Sequence, residues 1–232
     1  DGSGKAAGSP ANAVKVSFRD ANLRYAGAGA DSLSDITFDV APGETVGIIG
    51  GTGSGKSSLV NMIPRFYDAS QGSVCIDGVD VKDYTLDELR HKVGVVPQKA
   101  VLFAGTIADN IRWGKQDATE AEIDEALEIA QAKEFVDGKE NGIYFKITQG
   151  GKNLSGGQKQ RLTIARAVVR KPEILILDDS ASALDFATDA ALRKAIREKT
   201  KGMTVFLVSQ RASTIMNSDK IIVMDDGQIA GI

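Results

Sequence analysis

Hydrophobic residues recur with two different periods along the chain, and each period predicts a different element. Between residues 33 and 40 apolar and polar side chains alternate, with Ile36, Phe38 and Val40 on one face, which is typical of a strand. Residues 174–177 are apolar without interruption, which is typical of a strand buried on both faces. The remaining predicted strands cover residues 14–18, 45–49, 72–78, 93–96 and 204–208, with a closing hairpin at 221–229.

Segments with helical periodicity lie between these strands. Thr85 with Glu88 and Thr119 with Glu122 are capping boxes, each of which marks a helix start. The second is followed by one apolar face and an acidic side that we interpret as solvated. The predicted helices cover residues 56–62, 85–91, 119 to about 136, 159–170 and 189–199. Alternating strands and helices predict an α/β fold with a largely parallel sheet and helices on its faces.

Composition and charge restrict the class of protein. The 232 residues suffice for one large domain, and 25% charged with 42% hydrophobic residues is typical of a soluble globular protein. A net charge of −3 offers no general attraction to nucleic acid or anionic lipid. The single cysteine, Cys75, excludes an intrachain disulfide and reads as a small apolar strand residue. No apolar run reaches the roughly 20 residues that span a bilayer. If the protein works at a membrane, another polypeptide or segment would span it.

A glycine-rich loop between a predicted strand and a predicted helix carries the strongest chemical signal. Residues 50–58 match the pattern G-x-x-x-x-G-K-[ST], with Gly50, Gly55, Lys56 and Ser57 in the fixed positions. Such a loop wraps backbone N–H groups around phosphates, its lysine reaches the β- and γ-phosphates, and its hydroxyl ligates Mg²⁺. A plain glycine-rich turn is the alternative, and the flanking strand and helix disfavour it. The predicted nucleotide-binding residues in and beside the loop are Gly51, Thr52, Gly53, Ser54, Gly55, Lys56, Ser57 and Ser58.

Two aspartates follow the apolar strand at 174–177. Asp178 can hold Mg²⁺, usually through water, because this ion prefers hard oxygen ligands. Asp179 points toward the γ-phosphate side, where a carboxylate could orient or deprotonate the attacking water.

Further motifs in this order resemble the ATP-binding-cassette family from about Val14 to the end of the chain. Gln98 resembles the glutamine of the family's Q-loop, and Tyr25 stands where the family has an aromatic residue that stacks on adenine. The signature motif is matched by Leu154, Ser155, Gly156, Gly157 and Gln158, and the D-loop by Ser182, Ala183, Leu184 and Asp185.

The resemblance implies a domain organisation. Residues 1–13, rich in Gly, Ser and Ala, would be a linker, and residues 14–232 one ATP-binding domain. Within it we expect an antiparallel β subdomain at about 14–48, a P-loop core at about 43–98 and 159–232, and a helical signature subdomain at about 99–158.

The resemblance also implies cofactors and partners. ATP and Mg²⁺ would be bound between two such domains stacked head to tail, the P-loop of one facing the signature of the other. Residues 101–111 resemble the segment that meets the membrane domains of exporters. The chain would then lie at the cytoplasmic face of a membrane, would touch that membrane only through the transmembrane domains, and would bind no nucleic acid.

The sequence departs from the family pattern at positions that the family uses for ATP hydrolysis. Asp179 stands where glutamate is usual, and its carboxylate is one methylene, about 1.5 Å, shorter in reach. Gln210 stands where the family has the switch histidine, and the only histidine, His91, is a predicted helix-surface residue. Gln149 replaces a glutamate that exporters usually carry before the signature.

These departures predict a site that binds ATP but hydrolyses it poorly, because general-base catalysis is worth about 10²–10⁴-fold. The chain would then be the half of a heterodimeric exporter that contributes the degenerate Walker motifs, while its signature completes the active site of a non-identical partner. Alternatives are an ATP-gated regulatory module, a fully active homodimeric ATPase and a soluble cassette acting on DNA or ribosomes.

Overall fold

A computed structural model describes residues 13–232, so all but the last residue of the predicted linker lies outside it. The strands, in chain order, are β1 (Val16–Leu23), β2 (Leu33–Val40), β3 (Thr45–Gly50), β4 (Gln71–Ile76), β5 (Val79–Asp80), β6 (Val93–Val96), β7 (Gly105–Thr106), β8 (Lys146–Ile147), β9 (Ile174–Asp178), β10 (Thr204–Val208), β11 (Lys220–Asp225) and β12 (Gln228–Gly231). The helices are α1 (Lys56–Asn61), α2 (Leu86–Lys92), α3 (Ile107–Arg112), α4 (Glu120–Ile129), α5 (Lys133–Asp137), α6 (Gly156–Val168), α7 (Phe186–Lys199) and α8 (Ala212–Ile215).

The central sheet has the strand order β12-β11-β3-β10-β9-β6. Strands β11, β3, β10, β9 and β6 run parallel, and only the edge strand β12 pairs antiparallel. A second, antiparallel sheet has the order β2-β1-β4-β5. The predicted fold class, an α/β protein with a largely parallel sheet and an antiparallel β unit, is confirmed.

The side chains of β9 and β10 face two separate hydrophobic clusters because strand side chains alternate between faces. Ile174 and Ile176 face the cluster that contains the antiparallel sheet and α1, whereas Leu175 and Leu177 face the cluster built with α3, α4 and α6. All of β9 is buried, as its unbroken apolar sequence predicts. The sheet therefore has a covered layer on each face, and its carboxyl edge is left to form a site.

One predicted helix is wrong in extent, since residues 119–136 do not form a single helix. Helix α4 ends at Ile129 and α5 begins at Lys133. Between them Gln131 has φ 58°, and its carbonyl accepts a hydrogen bond of 2.9 Å from Arg161 Nη1 on α6. The break lets the chain turn so that α5 packs separately, and apolar spacing alone contains no signal of it.

Other helix boundaries differ because capping residues lie earlier than the apolar pattern. Helix α6 begins at Gly156, capped by Ser155, and α7 begins at Phe186, capped by Asp185. The prediction began them at 159 and 189. Helices α3 and α8 were not predicted, although Thr106 with Asp109 forms a capping box for α3.

The division of the domain into three subdomains stays a prediction. The antiparallel sheet also includes β4 and β5, which lie beyond the expected range of about 14–48. Within residues 13–232 there is no helix of the length and apolar character that crossing a bilayer requires.

Candidate functional site

The loop after β3 adopts backbone conformations that need glycine. Gly53 and Gly55 have φ 76° and 99°, in the left-handed region that residues with a Cβ avoid. A Cβ on Gly55 would also lie 2.6 Å from the side chain of Leu33. The loop connects β3 directly to α1, so its position is set by the central sheet.

Lys56 is nearly buried within this loop. Its Nζ donates hydrogen bonds of 2.7 Å to the carbonyl oxygens of Gly50 and Gly51, and lies 3.4 Å from Ser54 Oγ. Because these acceptors are neutral, the ammonium group keeps a positive charge that suits a site for an anion such as a phosphate.

Ser57 and Asp178 supply paired oxygen atoms across the site. The Ser57 hydroxyl donates a hydrogen bond of 2.9 Å to Asp178 Oδ1. Asp178 is buried at the end of β9, and this burial raises the pKa of its carboxyl, with the nearby Asp179 charge acting in the same direction and the Ser57 bond opposing it. A hydroxyl and a buried carboxylate are hard ligands that fit Mg²⁺, and the cation would offset the cost of the buried charge.

Asp179 follows in a left-handed conformation, with φ 47°. Its amide N–H donates a hydrogen bond of 2.8 Å to the carbonyl oxygen of Val208 on β10. Its Oδ2 accepts a bond of 3.2 Å from Nε2 of Gln98, which follows β6. The side chains after two neighbouring strands therefore meet at the carboxyl edge of the sheet.

Gln210 belongs to the segment after β10, which we call the switch segment (residues 209–211). Ser209 is buried, its N–H donates to Ile48 O over 3.1 Å, and its Oγ accepts 3.0 Å from Arg211 N. Gln210 itself is exposed and faces the same cavity as the loop. That cavity, of about 210 Å³, is lined by Thr52, Gly53, Gly55, Lys56, Ser57, Ser58, Gln98, Asp178, Asp179, Val208, Ser209 and Gln210.

Tyr25 adjoins the phosphate loop from the antiparallel sheet side. Its hydroxyl lies 2.6 Å from Ser58 Oγ, within hydrogen-bonding distance. Its ring meets the ring of Tyr67 edge-on, with 4.9 Å between centroids and an angle of 86°. A half-buried aromatic platform thus stands beside the phosphate cradle, and Tyr67 is a neighbour that sequence patterns did not single out.

The signature-like residues lie outside this cavity. Ser155 and Gln158 form a capping box at the start of α6, in which Ser155 Oγ accepts from Gln158 N over 3.2 Å. Ser155 and Gly156 are exposed and Gly157 and Gln158 are half-buried, whereas Leu154 is buried. A second chain could reach these exposed groups, and this chain's own phosphate loop does not use them.

The D-loop residues lie next to the signature. A Cβ on Gly157 would come within 3.2 Å of Ala183 O, so the two segments are in close contact. Leu184 is buried, and Asp185 caps α7 by accepting 2.8 Å from Thr188 N. Like the signature, residues 182–185 do not line the cavity of the phosphate loop.

The segment at 101–111 has an exposed apolar surface, and the hydrogen bonds of one buried polar side chain fix its backbone. Asn110 is buried, and its side chain bonds the backbone N–H and carbonyl of Phe103 at 2.9 Å each. Phe103 stacks on Trp113 with 4.9 Å between ring centroids, and these rings are 42% and 68% exposed. Two large exposed rings on a rigid base are typical of a surface that another protein covers.

Comparison with known proteins gives consistent results. The sequence model of the ABC transporter family matches residues 33–182. An uncharacterised ABC transporter ATP-binding protein of Mycobacterium tuberculosis is 45% identical over 219 residues, which cover 93% of this chain and 37% of that protein. The ATP-dependent lipid A-core flippase of Vibrio parahaemolyticus is 42% identical over 215 residues, 92% of this chain and 37% of the relative.

A solved structure has the same fold. The structure of a bacterial Atm1-family ABC exporter with ATP bound superposes with a TM-score of 0.90 at 37% sequence identity, covering 95% of this chain and 39% of that one. The chain thus spans a little over a third of the length of these relatives.

Proposed function

The chain belongs to the ABC transporter family as an ATP-binding domain of exporter type, and we propose that it binds Mg²⁺–ATP between two such domains to power export across a membrane. The observation that carries this proposal is the convergence of Lys56, Ser57, Gln98 and Asp178 on one cavity beside Tyr25. When bound, Mg²⁺ would neutralise charge on the phosphates. Ser57, Asp178 and the Gln98 amide oxygen would hold the ion.

Partners follow from the surfaces that the cavity does not use. The exposed start of α6 at Ser155 and Gly156 would bind the γ-phosphate held by a second ATP-binding domain. The exposed rings of Phe103 and Trp113 would meet a transmembrane domain. The chain would accordingly work at the cytoplasmic face of a membrane.

We further propose that the chain's own site hydrolyses ATP slowly. The Asp179 carboxylate is shorter in reach than glutamate and already accepts a hydrogen bond from Gln98, so it is poorly placed to activate water. Gln210 can donate a neutral hydrogen bond to a γ-phosphate but cannot carry a positive charge. ATP bound here would mainly hold the two domains together, and the intact signature would serve a non-identical partner.

The test is to restore both residues in the full-length transporter that contains this chain. Asp179→Glu combined with Gln210→His should raise ATP turnover at this site by about 10²-fold or more, because a placed general base is worth about 10²–10⁴-fold. Turnover is measured by phosphate release. ATP affinity should stay within about twofold, since the phosphate loop is unchanged.

Asp87→Glu combined with Gln228→His is the matched control, because it makes the same chemical changes on exposed residues away from the cavity. Equal turnover in the wild type and the restored variant would overturn the slow-hydrolysis proposal. Domain closing with no ATP consumption in the assembled complex would indicate a gating module instead of an exporter. Native mass spectrometry that finds two copies of this chain would overturn the non-identical pairing.

A further inference from the structure

A buried polar pair connects α7 to α8. Asp189 and Thr214 are 3% and 4% exposed, and Thr214 Oγ1 lies 3.4 Å from Asp189 Oδ2. Arg193 Nη2 is 3.1 Å from the same oxygen. A carboxylate is rarely buried so completely unless it is paired, so the contacts of Asp189 need an explanation.

Stability is a poor explanation for this pair. Asp189 Oδ1, Arg193 Nε and Ser180 Oγ are buried and have no protein hydrogen-bond partner within residues 13–232. Each buried polar group without a partner lowers stability, because it loses its hydrogen bonds to water and gains none in the protein. Well-packed apolar residues often stabilise such a position at least as well as ionic ones. The arrangement is therefore better explained by the segments that it connects.

One of those segments is the switch segment, which lines the candidate site, and the other is the D-loop, which lies beside the signature. Asp189 lies about one helical turn beyond Asp185, where the D-loop ends and α7 begins. Thr214 lies in α8, which follows the switch segment with Gln210. The contact between Asp189 and Thr214 thus joins the D-loop helix to the helix behind Gln210.

Arg211 makes a second connection between the same loops. Its Nη2 donates 3.1 Å to Ser182 O and its Nη1 donates 3.4 Å to Leu184 O, both in the D-loop. Because Arg211 is the neighbour of Gln210, these side-chain bonds link the switch segment to the D-loop backbone. We call Arg211, Asp189 and Thr214 the D-loop–switch bridge.

We propose that Asp189 and Arg211 are positioning residues that make the D-loop and the switch segment move as one unit. A hydrogen bond from Gln210 to a γ-phosphate would then also set the D-loop, which borders the signature at Ala183. By the same linkage, a partner domain seated on the D-loop would favour the contact of Gln210 with ATP. This inference rests on the proposed ATP-dependent pairing of two domains.

The experiment measures closing of the two ATP-binding domains in the full-length transporter by energy transfer between dyes, at increasing ATP. Asp189→Asn, Thr214→Val and Arg211→Lys should each raise the ATP concentration for half-maximal closing by about fivefold, the lower end of usual coupling between sites. ADP affinity should stay within about twofold, because ADP has no γ-phosphate, and this measurement also shows that each variant is folded. Lys194→Ala, an exposed change on α7, is the control and should shift neither quantity.

A second background separates positioning from simple destabilisation. With Gln210→Ala present, no γ-phosphate contact remains at this position, so adding Asp189→Asn should shift closing by less than about twofold. Equal shifts in both backgrounds, or no shift from Asp189→Asn and Arg211→Lys in the wild type, would overturn the inference while leaving the proposed function intact. A wild-type transporter that binds ADP but does not close with ATP would overturn both.

Discussion

Asp178 is a carboxylate in a position that disfavours its own charge. Burial at the end of β9 raises its pKa above 3.8, and the hydrogen bond from Ser57 offsets this only in part. In the free protein the ionised form therefore opposes folding at neutral pH. Below pH 3.8 the carboxyl is protonated in both the folded and the unfolded state, so this cost is absent there. Binding of Mg²⁺ would instead favour the ionised form of Asp178, since the cation is attracted to the negative carboxylate.

Asp178→Asn should therefore stabilise the free protein and weaken metal-dependent ATP binding. Removing the buried charge should raise the melting temperature at pH 7 by about 2–4 °C for each kcal/mol recovered. The difference from wild type should shrink as the pH falls toward 3.8. Calorimetry at several pH values measures the first effect, and ATP titration with and without Mg²⁺ measures the second. Asp226→Asn, on the exposed closing hairpin, is the control, and an unchanged Mg²⁺ requirement in Asp178→Asn would contradict the assignment.

At the scale of single elements, side-chain caps mark the residues at which α3 and α4 begin. Helix α4 starts after Thr119, whose side chain accepts a hydrogen bond from the Glu122 backbone N–H while the Glu122 carboxylate accepts one from the Thr119 N–H. Hydrogen bonds from Lys115 and from the Thr119 backbone lower the pKa of Glu122 to about 2. Hydrogen bonds among Lys115, Thr119 and Glu122 therefore fix the acidic start of α4 without any contribution from α6.

Thr119→Ala should lower the free energy of unfolding by about 1 kcal/mol, because it removes the side-chain acceptor at the helix N-cap. Thr119→Ser keeps the hydroxyl and should differ from wild type by a few tenths of a kcal/mol at most. Urea unfolding followed by circular dichroism measures both variants. Equal stability of the alanine and serine variants would show that the cap does not limit the stability of α4.

At the scale of the whole molecule, a cluster of charges connects the antiparallel sheet to the central sheet. Lys15 precedes β1, and its side chain is only 12% exposed. Its Nζ contacts Asp77, in the turn after β4, at 2.9 Å and also Glu173, which precedes β9. Lys92, at the end of α2, lies 3.0 Å from Glu173. The hydrogen bond from Lys15, followed by that from Lys92, lowers the pKa of Glu173.

Glu173→Gln should destabilise the domain by about 1 kcal/mol at pH 7, because Lys15 loses one charged partner and keeps Asp77. Solvent screening of the half-exposed carboxylate keeps the effect small. A lowered pKa means that the contribution is present above pH 4.5 and is lost as the pH falls below it. Melting curves at pH 7 and at pH 4 test this prediction. The control is Glu198→Gln, because the exposed Glu198 has its Oε1 4.0 Å from Lys194 Nζ. If the difference in melting temperature between Glu173→Gln and the wild type were the same at both pH values, the charge cluster would be excluded as its cause.

Local patterns alone sufficed for a large part of this protein. The unbroken apolar run at residues 174–177 predicted β9, because a strand that is buried on both faces carries apolar side chains on both. The phosphate loop was evident because its glycines meet steric requirements of the backbone itself, as φ 99° at Gly55 shows. The fold class followed from the alternation of such segments.

What local patterns could not decide was the meeting of distant segments. The helix break at Gln131 involves Arg161 on α6, and the hydrogen bond between Gln98 and Asp179 joins residues that follow β6 and β9. The buried pair of Asp189 and Thr214 is invisible in the sequence for the same reason. Periodicity records which face of an element is buried, but strand order and packing determine which residues face each other across the molecule.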